Sequence, residues 1–208
     1  MERAVIFDLD GTLYDNRCLH WMLPLCELFC LRLGFLRKER QSRKKVRTQD
    51  FADSEDFYAH FFHAISERHP DAVSRWYHHH YLPLQARILR LFCKADAWVL
   101  PRIQELRDQG VKTVLYSDYG YTEQKLRAIG IDPGMFDWVV DAPSLGGLKP
   151  NEQVTRRLLE RIGVEPAQAL FVGDRADCDA ESARRVGARY QLVVRKGKEV
   201  SFSNISDL

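Results

Sequence analysis

No apolar run in this chain is long enough to cross a bilayer. The most apolar stretch, Leu19 to Leu36, is interrupted by His20, Pro24, Glu27 and Arg32, whereas a span needs about 20 predominantly apolar residues. A buried helix is expected there instead. Charge of one sign is lacking too: 31 Lys and Arg stand against 29 Asp and Glu, and so small a net charge says nothing about partners; no nucleic acid is expected. Cysteine is sparse and badly spaced for a scaffold. Cys18, Cys26, Cys30, Cys93 and Cys178 make an odd number with no CxxC pair and no zinc spacing, which reads as reduced, mostly buried thiols. No repeat or low-complexity tract is visible. Met1-Glu2-Arg3 leads directly into an apolar segment, so no secretory signal is expected and the protein is read as cytoplasmic. What is present is ordinary globular composition: 208 residues, 45% apolar and 29% charged. That is enough for one large domain, or for a core domain with a modest insertion.

Two textures alternate along the chain. Ala4-Val5-Ile6-Phe7, Val111–Tyr116, Phe136–Val140, Ala169–Val172 and Arg189–Val194 read as short strands. Helical patterns near 121–129, 151–162 and 179–186 separate the later ones. Strand and helix alternating at this spacing indicate a three-layer α/β core, a parallel sheet with helices on both faces. Residues 15–91 carry almost nothing but helical patterns. Asp53 or Ser54 can cap a helix bearing Phe57, Phe61, Phe62 and Ile65 on one face, and a second helix bears Val73, Trp76, Tyr77, His80 and Tyr81 before Pro83 is expected to stop it. The expected organisation is a core of residues 1–14 and 92–208 with a helical cap, 15–91, inserted after the first strand.

The first strand ends on Asp8-Leu9-Asp10-Gly11-Thr12. Strand alternation would point Asp8 and Asp10 the same way, crowding two negative charges into one volume. A cation or a shared proton is needed to relieve that; a turn would need neither, but other strand ends repeat the theme. Tyr116-Ser117-Asp118 ends a strand on a hydroxyl, Gly147-Leu148-Lys149-Pro150 offers a lysine before a helix, and Val172-Gly173-Asp174-Arg175-Ala176-Asp177-Cys178-Asp179 ends a strand in a cluster of acids. In a parallel sheet these ends share one edge, where ligands of open α/β folds bind. Carboxylates, a hydroxyl and an ammonium around a divalent cation suit phosphoryl transfer, in which aspartate can be the nucleophile. Oxygen ligands favour Mg²⁺ over zinc.

Asp8-Leu9-Asp10-Gly11-Thr12-Leu13-Tyr14, followed in order by Ser117, Lys149 and Asp174, resembles the motif series of the haloacid dehalogenase (HAD) superfamily, in its phosphatase branch. The resemblance spans nearly the whole core and implies a Rossmann-like sheet with residues 15–91 standing where members carry a helical cap. By that resemblance Asp8 is the nucleophile and Asp10 the general acid and base. Ser117 holds a phosphoryl oxygen, and Lys149 offsets charge on nucleophile and phosphate. Mg²⁺ is held by Asp8, the Asp10 backbone carbonyl and Asp174, with Asp179 as ligand or support and Asp177 as its rival. Haloacid dehalogenases proper lack the second carboxylate, so Asp10 favours a phosphatase acting on a small phosphorylated metabolite. A sugar phosphomutase, or a binding or regulatory member without turnover, are the alternatives.

Three features of the cap remain. The run Arg37–Arg47 is read as a solvated basic loop that could attract an anion. His78-His79-His80 cannot chelate one ion together, since neighbours on a helix point apart; His78 and His79 are expected to be exposed and His80 packed or facing the cleft. Tyr14, Asp15 and Asn16 line the cleft or shape the junction of core and cap.

Overall fold

Ala4–Phe7 forms β1, one of the two central strands of a six-stranded sheet. Its residues are buried on both faces, as an inner parallel strand requires: Ala4 and Ile6 enter one hydrophobic cluster, Val5 and Phe7 the other. The computed structural model describes residues 3–196 and 199–204. After β1 come five helices, α1 (Arg17–Phe29), α2 (Leu33–Val46), α3 (Ser54–Ile65), α4 (Pro70–Trp76) and α5 (Leu82–Phe92). The chain then alternates through α6 (Val99–Asp108), β2 (Lys112–Ser117), α7 (Thr122–Ala128), β3 (Trp138–Asp141), α8 (Glu152–Ile162), β4 (Ala169–Gly173), α9 (Glu181–Val186), β5 (Arg189–Lys196) and β6 (Glu199–Asn204).

The sheet order is β3-β2-β1-β4-β5-β6. Side chains of α8 and α9 join the cluster on one face, and those of α6 and α7 the cluster on the other, giving three layers. The first five strands are parallel; β6 pairs antiparallel with β5. That last strand was not expected, because a short polar-apolar edge strand carries little signal against a sequence background of turns. The third strand starts at Trp138 rather than Phe136, since the Phe136 N–H still closes a turn on the Pro133 carbonyl (3.0 Å). β1 has β2 on one side and β4 on the other, so the sequence order reverses there and a crevice opens beyond the C-terminal ends of these strands.

Helices α1–α5 gather around a third cluster holding Leu19, Leu36, Phe57, Phe61, Trp76 and Ile88. Asp53 caps α3, accepting the Asp56 N–H at 2.9 Å. Several expectations are corrected here. Pro83 does not stop a helix. A π-type turn, Tyr77–Tyr81, joins α4 to α5, and Pro83 lies in the first turn of α5. The wider turn changes the hydrogen-bond register just where proline supplies no donor. Residues 37–46 are part of α2 rather than a loop, because Leu36 and Val46 seat that helix in the third cluster. The preceding stretch is not wholly buried: Trp21, Phe29 and Leu31 are exposed. His78 is half-buried among the rings of Tyr58, Phe62 and Tyr77, whereas His79 is exposed. Cys18 and Cys93 are joined in a disulfide across 75 residues, and Cys30 is exposed. The fold sets the entry to α1 beside the exit from α5, which spacing along the chain does not reveal. Among the described residues no helix is long and apolar enough to cross a membrane.

Candidate active site

Glycine decides how closely the first and fourth strand ends approach. Gly11 has φ of +102°, and a Cβ there would collide with the Asp174 carboxylate. A Cβ on Gly173 would collide with Asp179. Side chains at these two positions would drive the acids apart. With both absent, carboxylate oxygens of Asp8, Asp174 and Asp179 lie within 4.8 Å of one another. Lys149, 2% exposed, places its ammonium 2.6 Å from Asp8 Oδ1 and 2.7 Å from Asp179 Oδ1, and also donates to the Tyr116 carbonyl at 3.2 Å. The Thr12 hydroxyl donates to Asp8 Oδ2 at 3.0 Å and accepts the Asp174 N–H at 3.0 Å.

Three carboxylates against one ammonium leave an excess of negative charge. Burial raises the Asp8 carboxyl above its ordinary range against the pull of Lys149, and Asp10 adds to the rise. Burial, then the Asp8 charge, pushes Asp174 up to about 6. Asp179 is raised by burial despite its ion pair with Lys149. For Lys149, burial works toward the neutral form, but the Asp179 and Asp8 charges outweigh it and hold the ammonium well above its ordinary value. The donor set is all hard oxygen, and a divalent cation would compensate its charge. The cluster therefore fits Mg²⁺ in both chemistry and charge.

Asp10 is held separately. Lys125, fully buried, meets its carboxylate at 2.9 and 3.2 Å, and the buried Tyr14 hydroxyl donates to Asp10 Oδ1. Asp8 and Asp10 thus line one cavity but are fixed by different partners, so the crowding inferred from alternation is partly relieved. Neither Lys125 nor the role of Tyr14 was found from sequence. A lysine on α7 has no local mark distinguishing it from a surface lysine; its burial arises from packing against the sheet edge.

Asp8, Asp10, Lys149, Asp174 and Asp179 all line a cavity of about 620 Å³. Ser117 is buried at the end of β2, with its oxygen accepting the Tyr119 N–H at 3.1 Å. Its neighbours Asp118 and Tyr119 line the cavity. Asp177 stands apart from the carboxylate cluster, exposed and paired with Arg175 at 2.7 Å and Arg47 at 3.4 Å. Of the two rivals, Asp179 is the one at the cluster. Helices α1, α2 and α5 and the turns beside them line the other side of the cavity with Leu19, His20, Arg40, Arg43, Arg47, Tyr81 and Gln85. Part of the basic run expected to be solvated therefore faces the strand ends.

Comparison with known proteins follows this geometry. The family model described as haloacid dehalogenase-like hydrolase matches residues 2–187. The glyceraldehyde 3-phosphate phosphatase of Methanopyrus kandleri is 34% identical over 102 residues, 48% of this chain and 43% of that enzyme; the chain thus spans under half of that relative. The phosphoglycolate phosphatase of Aquifex aeolicus is 24% identical over 213 residues, covering 92% of this chain and 84% of the enzyme. Among solved structures, the HAD phosphatase from Thermococcus onnurineus superposes with a TM-score of 0.55 at 23% identity, covering 95% of this chain and 88% of that one. At that identity the likeness is one of fold.

Proposed function

This chain belongs to the haloacid dehalogenase-like hydrolases, and we propose that within that family it is a Mg²⁺-dependent phosphatase of small phosphomonoesters, with residues 15–91 as its cap. The observation that carries this reading is the convergence of Asp8, Asp174 and Asp179 on one point, with Lys149 bridging two of them and Asp10 held beside them. The phosphatase names of the relatives, acting on glyceraldehyde 3-phosphate and on phosphoglycolate, support the substrate size. Retention of Asp10 supports phosphate ester cleavage over dehalogenation.

In the proposed reaction a carboxylate oxygen of Asp8 attacks phosphorus, and the bond from phosphorus to the ester oxygen breaks. Asp10 gives its proton to the departing alkoxide. Asp10 then takes a proton from water, whose oxygen attacks the aspartyl-phosphate; inorganic phosphate leaves and the Asp8 carboxylate is restored. Lys149 and Thr12 orient Asp8, while Lys125 and Tyr14 orient Asp10. Ser117 is proposed to steady a phosphoryl oxygen. Asp8, Asp174 and the Asp10 carbonyl, with Asp179 as ligand or support, would hold Mg²⁺, which would supply neutralisation of phosphate charge. The cap wall keeps bulk water from the phosphoryl group.

The test is release of inorganic phosphate from phosphoglycolate, glyceraldehyde 3-phosphate and an aryl phosphate by the purified protein. Mg²⁺ is expected to support turnover and excess chelator to reduce it to background; equal rates in both would refute the assignment. A transfer rate exceeding hydrolysis with a bisphosphorylated sugar would favour the mutase alternative.

Cation binding should also show in stability. Asp174 titrates near 6 in the metal-free fold against about 3.9 in an unfolded chain. Between those values the native state holds more protons, so this group's contribution to metal-free stability falls as pH rises from about 4 to 6 and stays low above that. Mg²⁺ binds the deprotonated form. Its addition is therefore expected to raise the melting temperature by about 5–10 °C at pH 7.5 and by much less at pH 5. Asp174→Asn should remove most of that increment. A Mg²⁺ effect independent of pH, or unchanged in the variant, would argue against this cluster as the metal site.

A further inference from the structure

Arg40, Arg43 and Arg47 recur at spacings of three and four, so they share one face of the helix and its end. That face is the cap wall of the catalytic cavity. Every carboxylate lining the cavity, from Asp8 to Asp179, comes from the core side, and none comes from the cap. The one acid of α2, Glu39, is buried behind the wall against Arg43.

The three arginines are not equivalent. Arg43 is engaged: it meets Glu39 at 2.5 Å, the Asp118 carbonyl at 3.0 Å and the Tyr77 hydroxyl at 2.9 Å. Arg47 has only a 3.4 Å contact with the exposed Asp177, and its Nε is buried without a partner. Arg40 makes no hydrogen bond or ion pair among the described residues. A separate sign comes from α5. Gln85 is 2% exposed, lines the same cavity, and its Nε2 has no partner. Buried donors are normally satisfied. Here the donors of Arg40, Arg47 and Gln85 face a cavity whose core end already accounts for a phosphoryl group through Lys149 and the carboxylate cluster.

We propose that the substrate is doubly anionic: a phosphomonoester whose distal end carries a second anionic group, a carboxylate or another phosphate, held by Arg40 and Arg47 with the amide of Gln85. This rests on the phosphatase reading of the same site and narrows it. Neutral sugar and alkyl phosphates would leave the Gln85 amide and the Arg47 Nε unmet, which a site built for hydrogen bonding discriminates against. A cavity of about 620 Å³ restricts the substrate to a small metabolite.

The experiment separates binding from turnover. Three probes share a two-carbon skeleton: 2-hydroxyethyl phosphate, phosphoglycolate, and the bisphosphate of ethane-1,2-diol. Their dissociation constants are measured by calorimetry with Mg²⁺ on the full-length Asp8→Asn protein. At least one of the two doubly anionic probes is expected to bind about ten- to a hundredfold tighter than the neutral-ended one, and the tighter of the two identifies carboxylate or phosphate. Adding Arg40→Gln or Gln85→Leu should shrink that ratio several-fold, and Arg40→Lys should recover part of it. The ratio should also fall between 50 and 500 mM salt, because Arg40 is exposed. Equal affinities for all three probes, or a ratio indifferent to both substitutions, would overturn the proposal. Turnover by the wild-type chain is scored separately: selective binding without phosphate release overturns the phosphatase reading alone, and release without selectivity overturns this inference alone.

Discussion

Asp8→Asn is expected to reduce phosphate release by roughly 10⁴-fold or more, the scale seen when an enzyme loses its nucleophile. The substitution is nearly isosteric. Its amide oxygen can still accept from Lys149 or Thr12, which hold the two Asp8 oxygens at 2.6 and 3.0 Å. What disappears is the anionic oxygen proposed to attack phosphorus, and an amide cannot form the aspartyl-phosphate. The fold should survive, because burial and Asp10 already disfavour the charge on Asp8, so removing it relieves repulsion in the cluster. The check is steady-state phosphate release beside a thermal melt. Acid-quenched mass spectrometry of the wild-type chain should find a phosphoryl group on Asp8. Substantial activity in Asp8→Asn with an intact melt would remove Asp8 from the mechanism.

Arg43→Met carries the largest expected effect on stability, a loss of about 3–5 kcal/mol. Arg43 is 8% exposed and its partner Glu39 is fully buried. Its guanidinium also lies over the Tyr119 ring, 3.7 Å from the centroid. Replacing it by methionine keeps much of the packing but leaves the buried Glu39 carboxyl without its partner, since its other oxygen already lacks one among the described residues. Breaking such a pair costs more than the pair itself contributes, so the double variant Arg43→Met, Glu39→Gln should regain much of the loss. Urea unfolding of both proteins measures this. A single-variant loss below about 1 kcal/mol, the scale of an exposed pair, would show that the contact is dispensable. Arg43 also ties cap to core: it donates to the Asp118 carbonyl, while Asp118 Oδ1 accepts the Lys149 N–H at 2.8 Å. Damage here should therefore reach the position of Lys149 as well.

What could be read without coordinates has a common physical character. β1 was legible because four consecutive apolar residues followed by acids and a glycine turn form a local pattern, and the alternation of strands and helices dictates a parallel sheet. Once the strands are parallel, Asp8, Asp10, Lys149 and Asp174 must come to one edge, since each follows or adjoins a strand end. The motif resemblance added their roles. Choosing Asp179 over Asp177 needed more, because both sit in the same π-type turn and only the backbone path turns one toward Lys149 and the other toward Arg175.

Other features were decided only by tertiary structure. Lys125 on α7 and Arg40 on α2 look like surface residues in sequence, because helical periodicity reports which face is apolar but not what a polar face will meet. The α2 register against the cavity is set by Leu36 and Val46 in the cap cluster, and that packing aims the basic run inward. The Cys18–Cys93 disulfide likewise depends on the start of α1 lying beside the end of α5. Local pattern determined the sheet and the row of acids at its edge, because strand ends inherit their place from topology. Side-chain environments built between helices and the sheet, on which Asp10 orientation and the cap's cationic wall depend, required the packed fold, because they join residues separated by tens of positions with no periodic signal between them.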